Sequence, residues 1–258
     1  MASTSPRAPS PTEEKEEKKR TTFPDLWEKL PSALANTYRK MLPSFHRLRL
    51  AIVRDTKSGH QVLPMKRNQW FRALEIRNPS VIILGQDPYP NRESAEGLAF
   101  SVPESVKSLN GSLRNIAASV QAQGWKVEEN CGSLQAWHQQ GVMLLNTALT
   151  VREWVPGSHT REWKAIMEQP VKFLALTGSF KVWLLWGSKA QAFQQFIPSC
   201  AKNRNKVLTC IHPSPFNGSL FVTQQKERKH FVQANQLLEA HGRTPIDWSI
   251  VKVDKTHP

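Results

Sequence analysis

Cysteine is scarce in this chain: Cys131, Cys200 and Cys210 are all there are in 258 residues, an odd number at no metal-ligand spacing. That argues against a disulfide framework or a four-thiolate zinc or iron–sulfur centre within one chain, and favours a reducing, intracellular compartment. Long apolar runs are missing too. The best, Val182–Trp186, falls far short of the ~20 residues a membrane-spanning helix needs, and the first residues lack the apolar core of a secretory signal. Acidic residues are few, 21 against 35 Lys and Arg, so the net charge is +14 and the pI near 10.0. That surplus suits a polyanionic partner, most often nucleic acid, although a basic enzyme without one carries the same composition. What is present is apolar material: 39% hydrophobic residues, with nine Trp and eleven Phe, too much for a disordered chain.

The chain divides into tails and a body. Met1–Thr22 is rich in Ser, Pro and Thr and ends in the charge run Glu13–Arg20, where four Glu cancel four Lys and Arg; disorder is expected there. Lys18-Lys19-Arg20 reads as a nuclear localisation signal or as a solvated linker, and the tail is a candidate docking segment for replication or repair proteins. Residues 252–258 form a short C-terminal tail, leaving 23–251 as one domain. Within it Val81–Leu84, Val142–Leu145, Val182–Trp186 and Val207–Ile211 are short apolar runs of the buried, parallel-sheet kind. Helical patterns lie between and after them at Ser112–Gln121, Ser133–Gln140, Thr160–Leu176, Ser188–Phe196 and Phe231–Ala240, the first behind a Ser in capping position. Trp27–Leu50 adds helical material in front, with breaks expected at Pro31 and Pro43. The alternation predicts an α/β fold with a central, mostly parallel four-stranded sheet flanked by helices.

Each strand runs into a polar turn. Gly85-Gln86-Asp87-Pro88-Tyr89-Pro90 comes after the first, Asn146-Thr147 after the second, Gly187-Ser188 after the third and His212-Pro213-Ser214-Pro215 after the fourth. Sites of open α/β sheets lie beyond the carboxyl ends of the strands, so Asp87, Asn146, Ser188 and His212 are expected to share one crevice. Singly, each has a structural reading: a turn or cap for Asp87, an Asx turn for Asn146, a satisfied core histidine for His212.

GQDPYP at 85–90, GLAFS at 97–101, LLN at 144–146, LLWGS at 184–188 and HPSPF at 212–216 stand in one order, and together they resemble the signature set of the main uracil-DNA glycosylase family, usually GQDPYH and HPSPL. The resemblance runs from about Trp70 to Trp248. It implies a metal-independent enzyme without cofactor, a monomer acting on uracil in single- or double-stranded DNA. It assigns Asp87 to the cationic sugar and the attacking water, and His212 to the uracil O2. Phe100 would stack on the extruded base. Asn146 would meet N3–H and O4, Tyr89 would block a C5 methyl, and the Gln86 backbone N–H would complete the contacts. A steric wall is needed because pocket apolarity alone discriminates a methyl by only ~1–3 kcal/mol. Ser112, Gly187, Ser188, Ser214 and Lys229 are expected at the DNA backbone. Lys226, Arg228 and His230 are candidates for the same work, or belong to a solvated helix start.

The chain departs from the family pattern in four places. Pro90 replaces a His, and Lys107–Ser112 has no proline where the family carries a Pro-rich loop. His159 to Trp163 is one residue shorter than the pattern. Phe216 stands where a Leu is usual, either as a wedge that fills the vacated stack or as an inward-packed residue that orders the His212 loop. Two other classes fit the sheet: a non-catalytic DNA-binding processivity subunit, and a glycosylase of broader base specificity. Asp87 and His212 argue against the first, Asn146 and Tyr89 against the second.

Overall fold

A computed structural model describes residues 35–109, 111–197 and 204–253, with side chains from Met41 onward. The expected tail Met1–Thr22, the Lys18–Arg20 segment, Pro31, Cys200 and residues 254–258 lie outside the described residues. In chain order the elements are α1 (Ala35–Lys57), β1 (Val62–Leu63), β2 (Val81–Gly85), α2 (Gly111–Ala122), α3 (Gln135–Gln139), β3 (Val142–Asn146) and β4 (Val151–Arg152). Then come α4 (Thr160–Leu176), β5 (Lys181–Trp186), α5 (Ser188–Gln191), β6 (Asn205–Cys210), α6 (Gly218–Arg228) and α7 (His230–Ala240).

The main sheet has the order β3-β2-β5-β6 and is parallel throughout, as the apolar runs predict. All residues of β2, β3 and β5 are buried, because helices cover both faces. β6 begins at Asn205, earlier than its apolar signal. Asn205 is a polar strand residue with built-in partners: it accepts from the Trp183 indole at 2.7 Å and donates to the Ala175 carbonyl at 2.8 Å. Trp137, Trp163, Trp183, Trp186 and Trp248 are all buried in the core. Their indole N–H groups all find acceptors, which is the condition for burying so polar an aromatic.

Three local expectations change. Pro43 does not break α1. The helix runs through it because Met41, Phe45, Leu48 and Ile52 bury one face in the core, which outweighs one lost backbone hydrogen bond. α2 begins at Gly111, so Ser112 is in its first turn rather than capping it from outside. Helix α6 occupies the segment read only as a helix start; Lys226 and Arg228 sit in its last turn, where cations oppose the helix dipole. β1 and β4 pair antiparallel through only two residues each, too short to leave a sequence signal.

Candidate active site

The chain enters the sheet at β2, crosses to β3 on one side and returns past β2 to β5 on the other. The crevice at the carboxyl end of β2 is therefore the switch point of the sheet. Gly85 ends β2 beside Asn146. A Cβ at Gly85 would lie 2.2 Å from Asn146 Oδ1 and 2.9 Å from the Ala99 Cβ, so only glycine lets the Asn146 amide cross the strand end. Asn146 is buried, and its amide takes no hydrogen bond from the described residues. The backbone behind it is fixed: Thr147 Oγ1 and Ala148 N–H donate to the Gln86 carbonyl at 2.9 and 2.8 Å.

Asp87 lies two residues beyond β2. One carboxylate oxygen accepts the Gly157 N–H at 2.6 Å. Burial raises its pKa above the ordinary carboxylate value, while the Gly157 hydrogen bond and the Lys189 ammonium oppose the rise. Gly157 has φ +78°, and its loop is anchored from behind. His159 bridges Asp55 (Nε2 to Oδ2, 3.0 Å) and Thr150 (Nδ1 to Oγ1, 2.9 Å), and Trp163 Nε1 donates to Thr150 Oγ1 at 2.7 Å. The shortened His159–Trp163 spacing thus still brings both side chains to Thr150.

Phe100 has φ +65°, an outlier for so bulky a residue, and the Tyr89 hydroxyl donates to its carbonyl at 3.1 Å. Strain of this kind costs about 1–3 kcal/mol and survives where the surroundings hold it in place. The Phe100 ring lies 6.0 Å from the His212 ring and 5.9 Å from Trp186. Burial, then Lys189, holds the His212 pKa below the ordinary imidazole value, so the ring is neutral at pH 7. Gly187, at φ +89°, makes room for it: a Cβ there would meet the His212 Cβ at 2.6 Å.

The loop after His212 is held by α2. Asn115 Nδ2 donates to the Pro213 and Ser214 carbonyls at 2.9 and 3.2 Å, and Gly111 lets Pro215 approach. Phe216 at its tip is fully exposed, which removes the inward-packed reading. Gly187 and Ser188 do not share the crevice of Asp87 and Asn146 as expected: with His212 they line an open groove of about 530 Å³ beside it, because β5 and its turn lie one strand further along the sheet. Ser214 is half-buried on the same loop, and Lys229 is exposed at the α6–α7 junction, with φ +49°. His230 is no phosphate contact. It is buried and accepts from Trp186 Nε1 at 3.2 Å, and burial drives its pKa down to about 4.

Gln86, Asp87, Tyr89, Phe100, Ser112, Asn146 and His212 line one cavity of about 140 Å³. Lys189 and Gly157 escaped the sequence reading. Lys189 comes directly after the Gly187-Ser188 turn, and Gly157 belongs to a Pro-Gly turn, so each carried a local signal without a visible target. Among the described residues there is no group of three or more His, Cys, Asp or Glu able to hold a metal.

A parallel α/β sheet whose switch point gathers a carboxylate, an imidazole and an open amide around a small cavity has the layout of a pocket enzyme. Residues 71–239 match the pattern of the Uracil DNA glycosylase superfamily. The chain is 42% identical over 196 residues to the uracil-DNA glycosylase of bovine herpesvirus 1.1, covering 74% of this chain and 91% of the viral one. It is 42% identical over 183 residues to that of Bordetella pertussis (69% and 71%) and 35% over 233 residues to that of varicella-zoster virus (88% and 71%). The crystal structure of mimivirus uracil-DNA glycosylase shares the fold, with a TM-score of 0.73, 24% identity, and coverage of 88% of this chain and 91% of that one. The chain belongs to the uracil-DNA glycosylase superfamily.

Proposed function

We infer that this chain hydrolyses the N-glycosidic bond of uracil in DNA and leaves an abasic site, and that the residues lining the cavity do the work. The observation that carries the reading is the meeting of Asp87, Asn146 and His212, from the ends of three strands, on one cavity of about 140 Å³. That volume is well below the ~300–1,000 Å³ of drug-sized ligand sites and suits a single base. A duplex hides both bond and base edge, so the nucleotide must be extruded to enter.

Breaking the bond leaves positive charge on the sugar and negative charge on the base. Asp87, poorly hydrated and fixed by Gly157, opposes the first and orients the water that attacks the sugar carbon. His212, neutral, donates a hydrogen bond to the uracil O2 as charge gathers there. The free amide of Asn146 has an acceptor for N3–H and a donor for O4; cytosine presents the reverse pattern. Tyr89 stands where a thymine methyl would go, and Phe100 offers a stacking face. Ser188, Ser214 and the exposed Lys229 lie outside the cavity, suited to phosphates. Phe216, fully exposed, is free to enter the stack. The test is a cleavage assay on matched oligonucleotides bearing one uracil or one thymine, in EDTA. Strand scission after alkali is expected only with uracil. Scission of neither would overturn the reading.

A further inference from the structure

Among the residues whose side chains are described, two Trp, Phe or Tyr are exposed: Phe216, wholly, and Trp154, at 69%. The sheet order separates them. Phe216 lies beyond β6 at one edge of the main sheet, while Trp154 sits on the chain that leaves β3 at the other, with the cavity over β2 between them. Trp154 is at the cavity rim: its N–H donates 2.8 Å to the carbonyl of Pro90, a lining residue, and three residues later Gly157 holds Asp87.

Its backbone is the second oddity. Arg152–Val155 is a four-residue turn closed by the Val155 N–H on the Arg152 carbonyl at 3.0 Å, and Trp154 holds its third position at φ +64°. That position calls for Gly or Asn, and a large side chain there is strained. The turn is braced by the Glu153 N–H on Gln61, at 2.9 Å, and by a two-pronged Arg92–Glu153 pair, at 2.8 Å for each prong. The indole itself makes no ring contact or hydrogen bond with the described residues. The braced turn thus holds a strained backbone that aims an indole without such contacts among the described residues at solvent beside the pocket.

We propose that Trp154 is a second stacking contact for DNA, taking the face of an unpaired base that flanks the extruded nucleotide on the side away from Phe216. This deepens the DNA reading above and rests on it. Inside a duplex the outer face of that base is stacked on the next base pair and Phe216 fills the gap on its inner face, so the contact matters most on single strands. Phe216, which replaces a missing base in the stack, matters most on duplexes.

Trp154→Gly supplies the residue the turn calls for and removes the ring. Affinity is read by anisotropy on labelled single strands and duplexes carrying a tetrahydrofuran abasic analogue, beside the Tm and the kcat on uracil substrate. Expected are an unchanged or higher Tm, an unchanged kcat and roughly tenfold weaker single-strand binding, with a smaller loss on duplex and most of the affinity kept by Trp154→Phe. Wild-type affinity in Trp154→Gly would overturn the proposal. So would a lower Tm with equal losses on both substrates, because the indole would then be holding the turn. The binding probe contains no uracil, so a chain that released no uracil would leave the Trp154 result standing.

Discussion

At the amino end of β5, Lys181 is fully buried, and its side-chain nitrogen donates to the Thr177 and Ser179 carbonyls at 2.6 and 2.9 Å. Beside it Arg243 donates to the Pro79 and Phe180 carbonyls at 3.0 and 2.7 Å. Cations there close off backbone that the sheet leaves open. At the carboxyl ends the arrangement is reversed: Asn146 is buried with an open amide, Asp87 is fixed by one backbone N–H, and Phe100, Gly157 and Gly187 hold positive φ. One end of the sheet ties its polar groups into the fold, and the other leaves them open, as the proposed function requires. Changes at the two ends should therefore damage different properties.

The largest effect is expected for Asp87→Asn. In the proposed function the carboxylate acts on charge that exists only in the transition state, so uracil release should fall on the order of a thousandfold while DNA affinity changes little. Single-turnover kinetics beside anisotropy would check this, and parallel losses in both would erase the distinction between the ends. Lys181→Ala should do the converse. Two carbonyls lose their donor and the buried side chain leaves a hole, at a cost of about 2–3 kcal/mol that a denaturant titration would read, with kcat unchanged. The smallest effect sharpens the carboxyl end alone. Lys189 lowers the pKa of both Asp87 and His212. Removing its charge in Lys189→Gln raises both, so Asp87 gains its proton, and His212 its charge, at higher pH. The acid limb of the kcat/KM profile should then move to higher pH, and added salt should move the wild type's in the same direction.

Much of the molecule was legible in the sequence because fold and pocket share one signal. The apolar runs Val81–Leu84, Val142–Leu145 and Val182–Trp186 are strands buried on both faces, and topology puts the turns after the first two in the cavity and the turn after the third, Gly187-Ser188, in the groove beside it. The segments that escaped are those whose structure is decided by contacts distant in sequence. α6 buries little beyond Phe221 and Gln225, and the Gln225 amide is held by Cys210 and His230, so its apolar pattern is weak. Pro43 reads as a break until the face packed on the core is known. Gly157 looks like any turn glycine, because its partner Asp87 lies 70 residues away. Phe216 was ambiguous for the same reason: its size is plain from the sequence, and only the loop held by Asn115 sets its direction.

In the proposed function the cavity reads the edge of one base through Asn146, and a single variant tests that. Asn146→Asp keeps the shape but replaces the amide donor with a second acceptor, which suits the exocyclic amine of cytosine and repels the uracil O4. Chromatography of free bases released from DNA containing cytosine and uracil measures this in a single run. The variant, shown by its Tm to be folded, is expected to release cytosine and to lose most of its uracil release. Uracil release at the wild-type rate, with no cytosine, would contradict it.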